Sequence, residues 1–124
     1  MRARIALGFL IAALALAVAG ASAASGPKVG AAKTKTKTVK VGDDYYSPVK
    51  LTVKKGTKIK WSWLDDNTDT HDVRLKSGPH GVKKFKSAIA ASDFTYSKKL
   101  TVPGTYRIYC SLHRSMRETI VVKR

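Results

Sequence analysis

The sequence is poor in cysteine, in acidic residues and in helical patterning. Cys110 is the only cysteine among 124 residues, which excludes a disulfide within one chain. Eight acidic side chains stand against 24 lysines and arginines. From residue 39 onward, apolar residues seldom recur at the spacing of an amphipathic helix. We therefore expect a strongly basic protein that is built mainly of strands and lacks internal disulfides.

The longest apolar run lies at the amino terminus and has the pattern of an export signal. Arg2 and Arg4 precede an apolar run over residues 5–19, and small residues follow at 21–23. This order is typical of a secretory signal peptide, with cleavage expected after Ala23. An uncleaved membrane anchor is the alternative, but the run is shorter than the ~20 residues of a usual spanning helix. We expect an exported protein of the periplasm, the cell envelope or the extracellular space.

The charge of the exported chain limits its partners. Removal of Arg2 and Arg4 with residues 1–23 lowers the formal charge from +16 to +14. Such a charge attracts acidic proteins and anionic surfaces. Outside the cytoplasm, an acidic protein or an anionic envelope surface is a more plausible partner than nucleic acid. Alternatively, the lysines only keep a β-protein soluble and its strand edges unpaired.

The remainder divides into a linker over residues 24–38 and a folded domain over 39–124. The linker is small, polar and basic, which is typical of a solvated tether. In the domain, apolar residues recur every second position, which is the pattern of short strands. Seven or eight such strands, separated by Gly and Pro, predict an all-β fold, an antiparallel sandwich or barrel. We leave residues 77–93 irregular, with one helical turn over 87–91 as an option.

The predicted inward positions follow from this alternation. They are Val39, Val41, Val49, Leu51, Val53, Ile59, Trp61, Trp63, His71, Val73, Leu75, Phe94, Tyr96, Leu100, Val102, Tyr106, Ile108, Cys110, Ile120 and Val122.

Four side chains in this pattern predict a metal site. A lone exported thiol is an inert buried group, half of an intermolecular disulfide, or a metal ligand. Cys110, His113 and Met116 share one short loop after a strand, and His71 lies on an inward face. A thiolate, two imidazoles and a thioether favour electron-transfer copper, whereas structural zinc prefers four strong Cys or His ligands. His80 stands alone in a Gly-Pro-His-Gly turn, and we expect it to be an exposed loop residue.

These residues are part of a wider resemblance, covering residue 39 to the end, to cupredoxins of the plastocyanin, amicyanin and pseudoazurin group. It rests on Tyr46-Ser-Pro48, Lys55-Gly-Thr-Lys-Ile-Lys-Trp61, His71-Asp-Val73, Pro103-Gly-Thr-Tyr106 and the Cys-x2-His-x2-Met loop. The resemblance implies a Greek-key β-sandwich of seven or eight strands. It also implies one type 1 copper ion at one end, bound by His71, Cys110, His113 and Met116.

Two departures from the family pattern bear on the site. Many relatives have Asn at the position of Trp63, and that Asn forms hydrogen bonds around the ligand loop; we expect Asn67 or Thr70 to replace it. Relatives also commonly place Gly two residues after the Met, where this chain has Glu118. The backbone path after Met116 is therefore an open question at this stage.

We expect the protein to carry single electrons by Cu(II)/Cu(I) cycling, as a monomer and not as an enzyme. The resemblance implies that electrons leave through His113, with apolar Leu112 beside it. Arg114 and Arg117 would steer an acidic redox protein. A copper carrier or storage protein is the first alternative. An adhesive or nucleic-acid-binding β-domain is the second, but it leaves the Cys, His and Met of the loop unexplained.

Overall fold

Alternating apolar residues form eight strands in the computed structural model, which describes Gly20 and residues 33–124. The strands are β1 (Thr36–Gly42), β2 (Tyr45–Ser47), β3 (Lys50–Lys54), β4 (Thr57–Trp63), β5 (Arg74–Ser77), β6 (Thr95–Leu100), β7 (Gly104–Tyr109) and β8 (Arg117–Lys123). Within the described range, no helix is present, and residues 87–91 do not form the optional turn.

The strands form two four-stranded sheets, ordered β2-β1-β4-β6 and β3-β8-β7-β5. The all-β sandwich is confirmed. Its prediction as antiparallel was only partly correct: four strand pairs are antiparallel, but β1 pairs with β4, and β3 with β8, in parallel. The chain crosses from one sheet to the other at most connections, so strands distant in sequence become neighbours. Alternation identifies a buried face, but it does not identify the neighbouring strand.

The core lies between the two sheets, where most of the predicted inward residues are buried. Val49 and Val102 are exceptions, with 57% and 36% of their surface exposed. Each lies outside the regular strands, Val49 just before β3 and Val102 just after β6, so neither shares the alternation of its neighbours. The core residues with at most 6% exposure are Val39, Val41, Tyr46, Val53, Ile59, Trp61, Trp63, Val73, Leu75, Leu100, Tyr106, Ile108, Cys110, Met116, Ile120 and Val122.

The amino-terminal predictions fall largely outside the described residues. These include the signal over 1–23 and most of the linker over 24–38. The last part of that linker is described, and residues 36–38 already belong to β1, where they pair with β4. No helix in the described part of the chain is long and apolar enough to span a bilayer.

Candidate metal centre

The ligand loop is short because β7 and β8 are paired up to its two ends. Tyr109 at the end of β7 pairs with Arg117 at the start of β8. Between them, Cys110 N–H donates to the carbonyl of Met116 at 3.2 Å, and Met116 N–H donates to that of His113 at 3.2 Å. Cys110 and Met116 are buried, while His113 is partly exposed. The backbone thus fixes Cys110 and Met116 inside the sandwich and leaves His113 near its surface.

His71 reaches the same place from the loop between β4 and β5. Its backbone exchanges two hydrogen bonds with Ala90, of 2.9 and 3.1 Å. The indole N–H of Trp63 also donates to the His71 carbonyl at 3.3 Å. The His71 side chain is completely buried. A pinned backbone and a buried ring give this imidazole one defined orientation.

Three of the four predicted ligand side chains lie close together. The donor atoms of His71, Cys110 and His113 all lie within 4.8 Å of one another. The two Nδ1 atoms are 3.2 Å apart, and the Cys110 Sγ is 3.7 Å from the His113 Nδ1. Met116, on the same loop, is fully buried. His80 is exposed and lies outside this group, as predicted.

Both imidazoles have a carboxylate on the side away from this cluster. His71 Nε2 is 2.8 Å from Asp43 Oδ1, and His113 Nε2 is 2.9 Å from Asp69 Oδ2. An ionised carboxylate only accepts hydrogen bonds, so each Nε2 must carry the proton. In a neutral imidazole, each Nδ1 then presents a lone pair, and the two lone pairs face each other. A cation between them relieves this repulsion, so the residues fit a metal ion.

The cysteine also fits a metal. Burial raises the pKa of the Cys110 thiol above its ordinary value, although the backbone N–H of Asp72, 3.5 Å from Sγ, acts in the opposite direction. The thiolate is the form that binds metals. A bound cation would supply the positive charge that this buried sulfur needs in order to lose its proton.

Asp72 connects the His71 segment to the cysteine loop. Its Oδ1 accepts from the backbone N–H of Ser111 at 2.7 Å. Its Oδ2 accepts from the Ser111 hydroxyl and from the Arg74 guanidinium, both at 2.7 Å. Burial raises the pKa of Asp72, but these hydrogen bonds outweigh it and hold the pKa below the ordinary value. The carboxylate is therefore ionised and ties the two ligand segments together.

The residues expected to perform this linking role do something else. Asn67 donates to the carbonyls of Val41 and Ala91, at 2.9 and 3.0 Å, and so fixes its own loop. The backbone N–H of Thr70 donates to Asp69. The expectation for Asn67 and Thr70 was wrong, because none of these hydrogen bonds reaches the ligand loop. Asp72 was missed, although an acidic residue beside an inward histidine was a usable signal.

Glu118 continues the strand pairing directly after the loop. It lies in β8 opposite Ile108 and is buried, and its Oε1 accepts from the indole N–H of Trp61 at 2.9 Å. Burial raises the pKa of Glu118 to about 8. The regular pairing answers the question about the path after Met116: the chain enters β8 at Arg117.

Comparisons with known proteins agree with this geometry. A family model described as a cupredoxin-like domain matches residues 8–122. The chain belongs to the cupredoxin family. Amicyanin-alpha of Methylorubrum extorquens is 32% identical over 87 residues, which cover 68% of this chain and 70% of the relative. Plastocyanin of Prochlorothrix hollandica is 32% identical over 103 residues, covering 74% and 76%.

Solved structures show the same likeness. A reduced amicyanin variant superposes with a TM-score of 0.62 at 27% identity, covering 75% of this chain and 85% of the other. The cofactor of a cupredoxin of this kind is one type 1 copper ion. The cluster of two histidines, one cysteine and one methionine has the composition of its ligand group.

Proposed function

We propose that this cupredoxin is an exported, monomeric carrier of single electrons between redox proteins. Copper would be held by the Nδ1 atoms of His71 and His113 and by the Cys110 sulfur, with Met116 as the weak axial ligand. The convergence of two imidazoles and a thiol, whose donor atoms lie within 4.8 Å of one another, carries this proposal. When bound, copper supplies a one-electron Cu(II)/Cu(I) couple.

The surrounding hydrogen bonds suit electron transfer because they hold the ligands in place. Asp72 links the segments of His71 and Cys110 through Ser111, and the backbone of Cys110 is bonded to that of Met116. Each ligand is thus fixed by the fold and not by the metal. A site that moves little between two oxidation states opposes electron transfer little.

His113 offers the shortest exit for the electron. Its side chain is 18% exposed, whereas those of His71, Cys110 and Met116 are at most 2% exposed. Leu112, beside it, is 47% exposed and gives a partner an apolar contact. A partner that touches this end would therefore approach the metal through a single imidazole ring.

The redox partner is proposed to be acidic. A cleft of about 370 Å³ is lined by Arg74, Lys76, Lys84 and Lys86, together with Leu75, Phe85 and Tyr109. Tyr109 directly precedes Cys110 in the chain, so this basic cleft lies close to the metal ligands. Positive charge at that position would accelerate association with an acidic protein.

The buried ligand set argues against a copper carrier or storage protein. Delivery of the ion requires a partner to replace the ligands one after another, and three of the four are buried. In the described part of the chain, one group of metal-binding side chains forms, around His71. A reversible voltammetric wave would support electron transfer, while copper loss to a chelator without such a wave would support delivery.

Copper addition to the purified mature protein tests the proposal. We expect an intense visible band from sulfur-to-copper charge transfer, with the matching spin-resonance spectrum. Cys110→Ser should abolish the band, and the matched control His80→Ala should leave it unchanged. If the wild-type protein remains colourless with copper bound, the proposed function is wrong.

A further inference from the structure

The carboxylates that contact the imidazoles are themselves held in place. Asp43 Oδ2 accepts from the backbone N–H and the hydroxyl of Thr68, both at 2.9 Å. Asp43 Oδ1 accepts from the backbone N–H of Asp69 at 3.2 Å and also faces His71 Nε2. The turn between β1 and β2 is thus bonded to the loop that carries His71. Asp43 is a fixed acceptor and not a freely rotating surface side chain.

The Asp69 carboxylate is held in a similar way. Its Oδ1 accepts from the backbone N–H of Thr70 at 2.7 Å, while its Oδ2 lies 2.9 Å from His113 Nε2. A further oxygen, Asp44 Oδ1, lies 3.5 Å from His113 Nε2. Negative charge therefore surrounds the outer side of both rings.

The placement of these charges is unusual for so basic a chain. The sequence has only eight acidic residues, yet three of them, Asp43, Asp44 and Asp69, face the two imidazoles. Solubility would not require scarce carboxylates at this end. An effect on the metal explains their position better.

We propose that Asp43 and Asp69 are positioning residues of the copper centre, which orient the two imidazoles and lower the reduction potential. Each carboxylate accepts a hydrogen bond from the Nε2–H of its imidazole. This contact keeps Nδ1 free for the metal and increases the basicity of the imidazole. Their negative charge stabilises Cu(II) more than Cu(I), because the oxidised ion carries the larger charge. This inference rests on the ligand assignment made above.

The two residues should not contribute equally. The Asp43 side chain is 35% exposed and faces a fully buried ring, whereas that of Asp69 is 60% exposed and faces a ring at the surface. Solvent and salt screen the more exposed pair more strongly. We therefore expect Asp43 to affect the potential more than Asp69.

Paired substitutions separate charge from hydrogen bonding. Asp43→Asn and Asp69→Asn remove the charge but retain an oxygen that can accept a hydrogen bond from Nε2–H. Asp43→Ala and Asp69→Ala remove both. Asp66→Asn is the matched control, since Asp66 is an exposed carboxylate on the loop between β4 and β5, which also carries Asp69. Its substitution changes the net charge by the same amount.

Voltammetry of the copper-loaded variants gives the first result. Both Asn variants should have a more positive potential than Asp66→Asn, and Asp43→Asn should show the larger shift. The Ala variants should in addition bind copper about 10- to 100-fold more weakly. If the potentials of both Asn variants match that of Asp66→Asn, the proposed lowering of the potential is wrong.

Nuclear magnetic resonance of the reduced, diamagnetic protein tests the positioning role separately. The Nε2 proton of His71 should exchange slowly in the wild type and in Asp43→Asn, and rapidly in Asp43→Ala. Equal exchange in all three proteins would overturn this role. The proposed function is judged by the charge-transfer band, so a coloured variant with an unchanged potential refutes the present inference alone.

Discussion

Replacement of Glu118 by glutamine should remove a pH dependence from the stability of the fold. The Glu118 side chain is 1% exposed, and among the described residues its Oε2 has no hydrogen-bonding partner. Its other oxygen accepts from Trp61. Burial raises its pKa from 4.5 to about 8, so the folded protein holds a proton that the unfolded chain releases. Glutamine retains the acceptor for Trp61 and cannot ionise.

The sign and size of the effect follow from the two pKa values. Below the unfolded value of 4.5, the carboxyl is neutral in both states, so its ionisation takes nothing from the stability. As the pH rises from there to about 8, stability is lost at about 1.4 kcal/mol per pH unit. The total loss is about 5 kcal/mol, of which roughly 3 kcal/mol has occurred by pH 7. Above the folded pKa the loss is complete.

Urea unfolding between pH 4 and 9 would measure this effect in the copper-free wild type and in Glu118→Gln. The informative range is from 4.5 to about 8, between the unfolded and the folded pKa. All other ionisable side chains are the same in both proteins, so the difference between the two curves isolates Glu118. We expect the free energy of unfolding of the variant, relative to that of the wild type, to increase steadily through this pH range. Two parallel curves would refute the reasoning, because they would show that Glu118 binds no additional proton on folding.

Three further predictions concern the site and its surface. Asp72→Ala should lower the free energy of unfolding by about 2 to 4 kcal/mol, because it removes a buried carboxylate that accepts hydrogen bonds from Ser111 and Arg74; Asp72→Asn, which retains an acceptor, should cost less in the same denaturation assay. Met116→Leu should keep the charge-transfer band and cost under about 1.5 kcal/mol in stability, while voltammetry shows a higher potential because a donor to Cu(II) is lost. The double change Lys84→Glu and Lys86→Glu should slow electron transfer with an acidic protein at low salt in stopped-flow measurements and leave the band unchanged; an unaltered rate would exclude the basic cleft as the docking surface.

The sequence predicted the contacts that lie close together along the chain. Cys110, His113 and Met116 are brought together by one short loop, whose two ends are set by the pairing of β7 with β8. His71 was identified because its inward register left a histidine among apolar neighbours. Both inferences use local alternation, which the structure confirms for the buried faces.

Contacts between distant loops were not predictable in the same way. Asp43 lies 28 residues from His71, and Asp72 lies 39 residues from Ser111. Alternation gives the direction of a side chain but does not say which turns meet at one end of a sandwich. The sequence therefore gave no signal that the Gly-Asp-Asp segment at 42–44 contacts His71. The same limit explains why the parallel pairing of β1 with β4 was missed.

The two proposals give the acidic and the basic residues of this protein separate roles. The carboxylates of Asp43 and Asp69 lie 2.8 and 2.9 Å from the imidazoles, well within the Debye length of about 8 Å at physiological salt. The basic cleft near Tyr109, as proposed, would act on a partner that approaches through solvent, where salt weakens the attraction. Added salt should therefore reduce the rate of association strongly and change the reduction potential little. If one set of charges determined both the reduction potential and the rate of association, a substitution could not change one without the other.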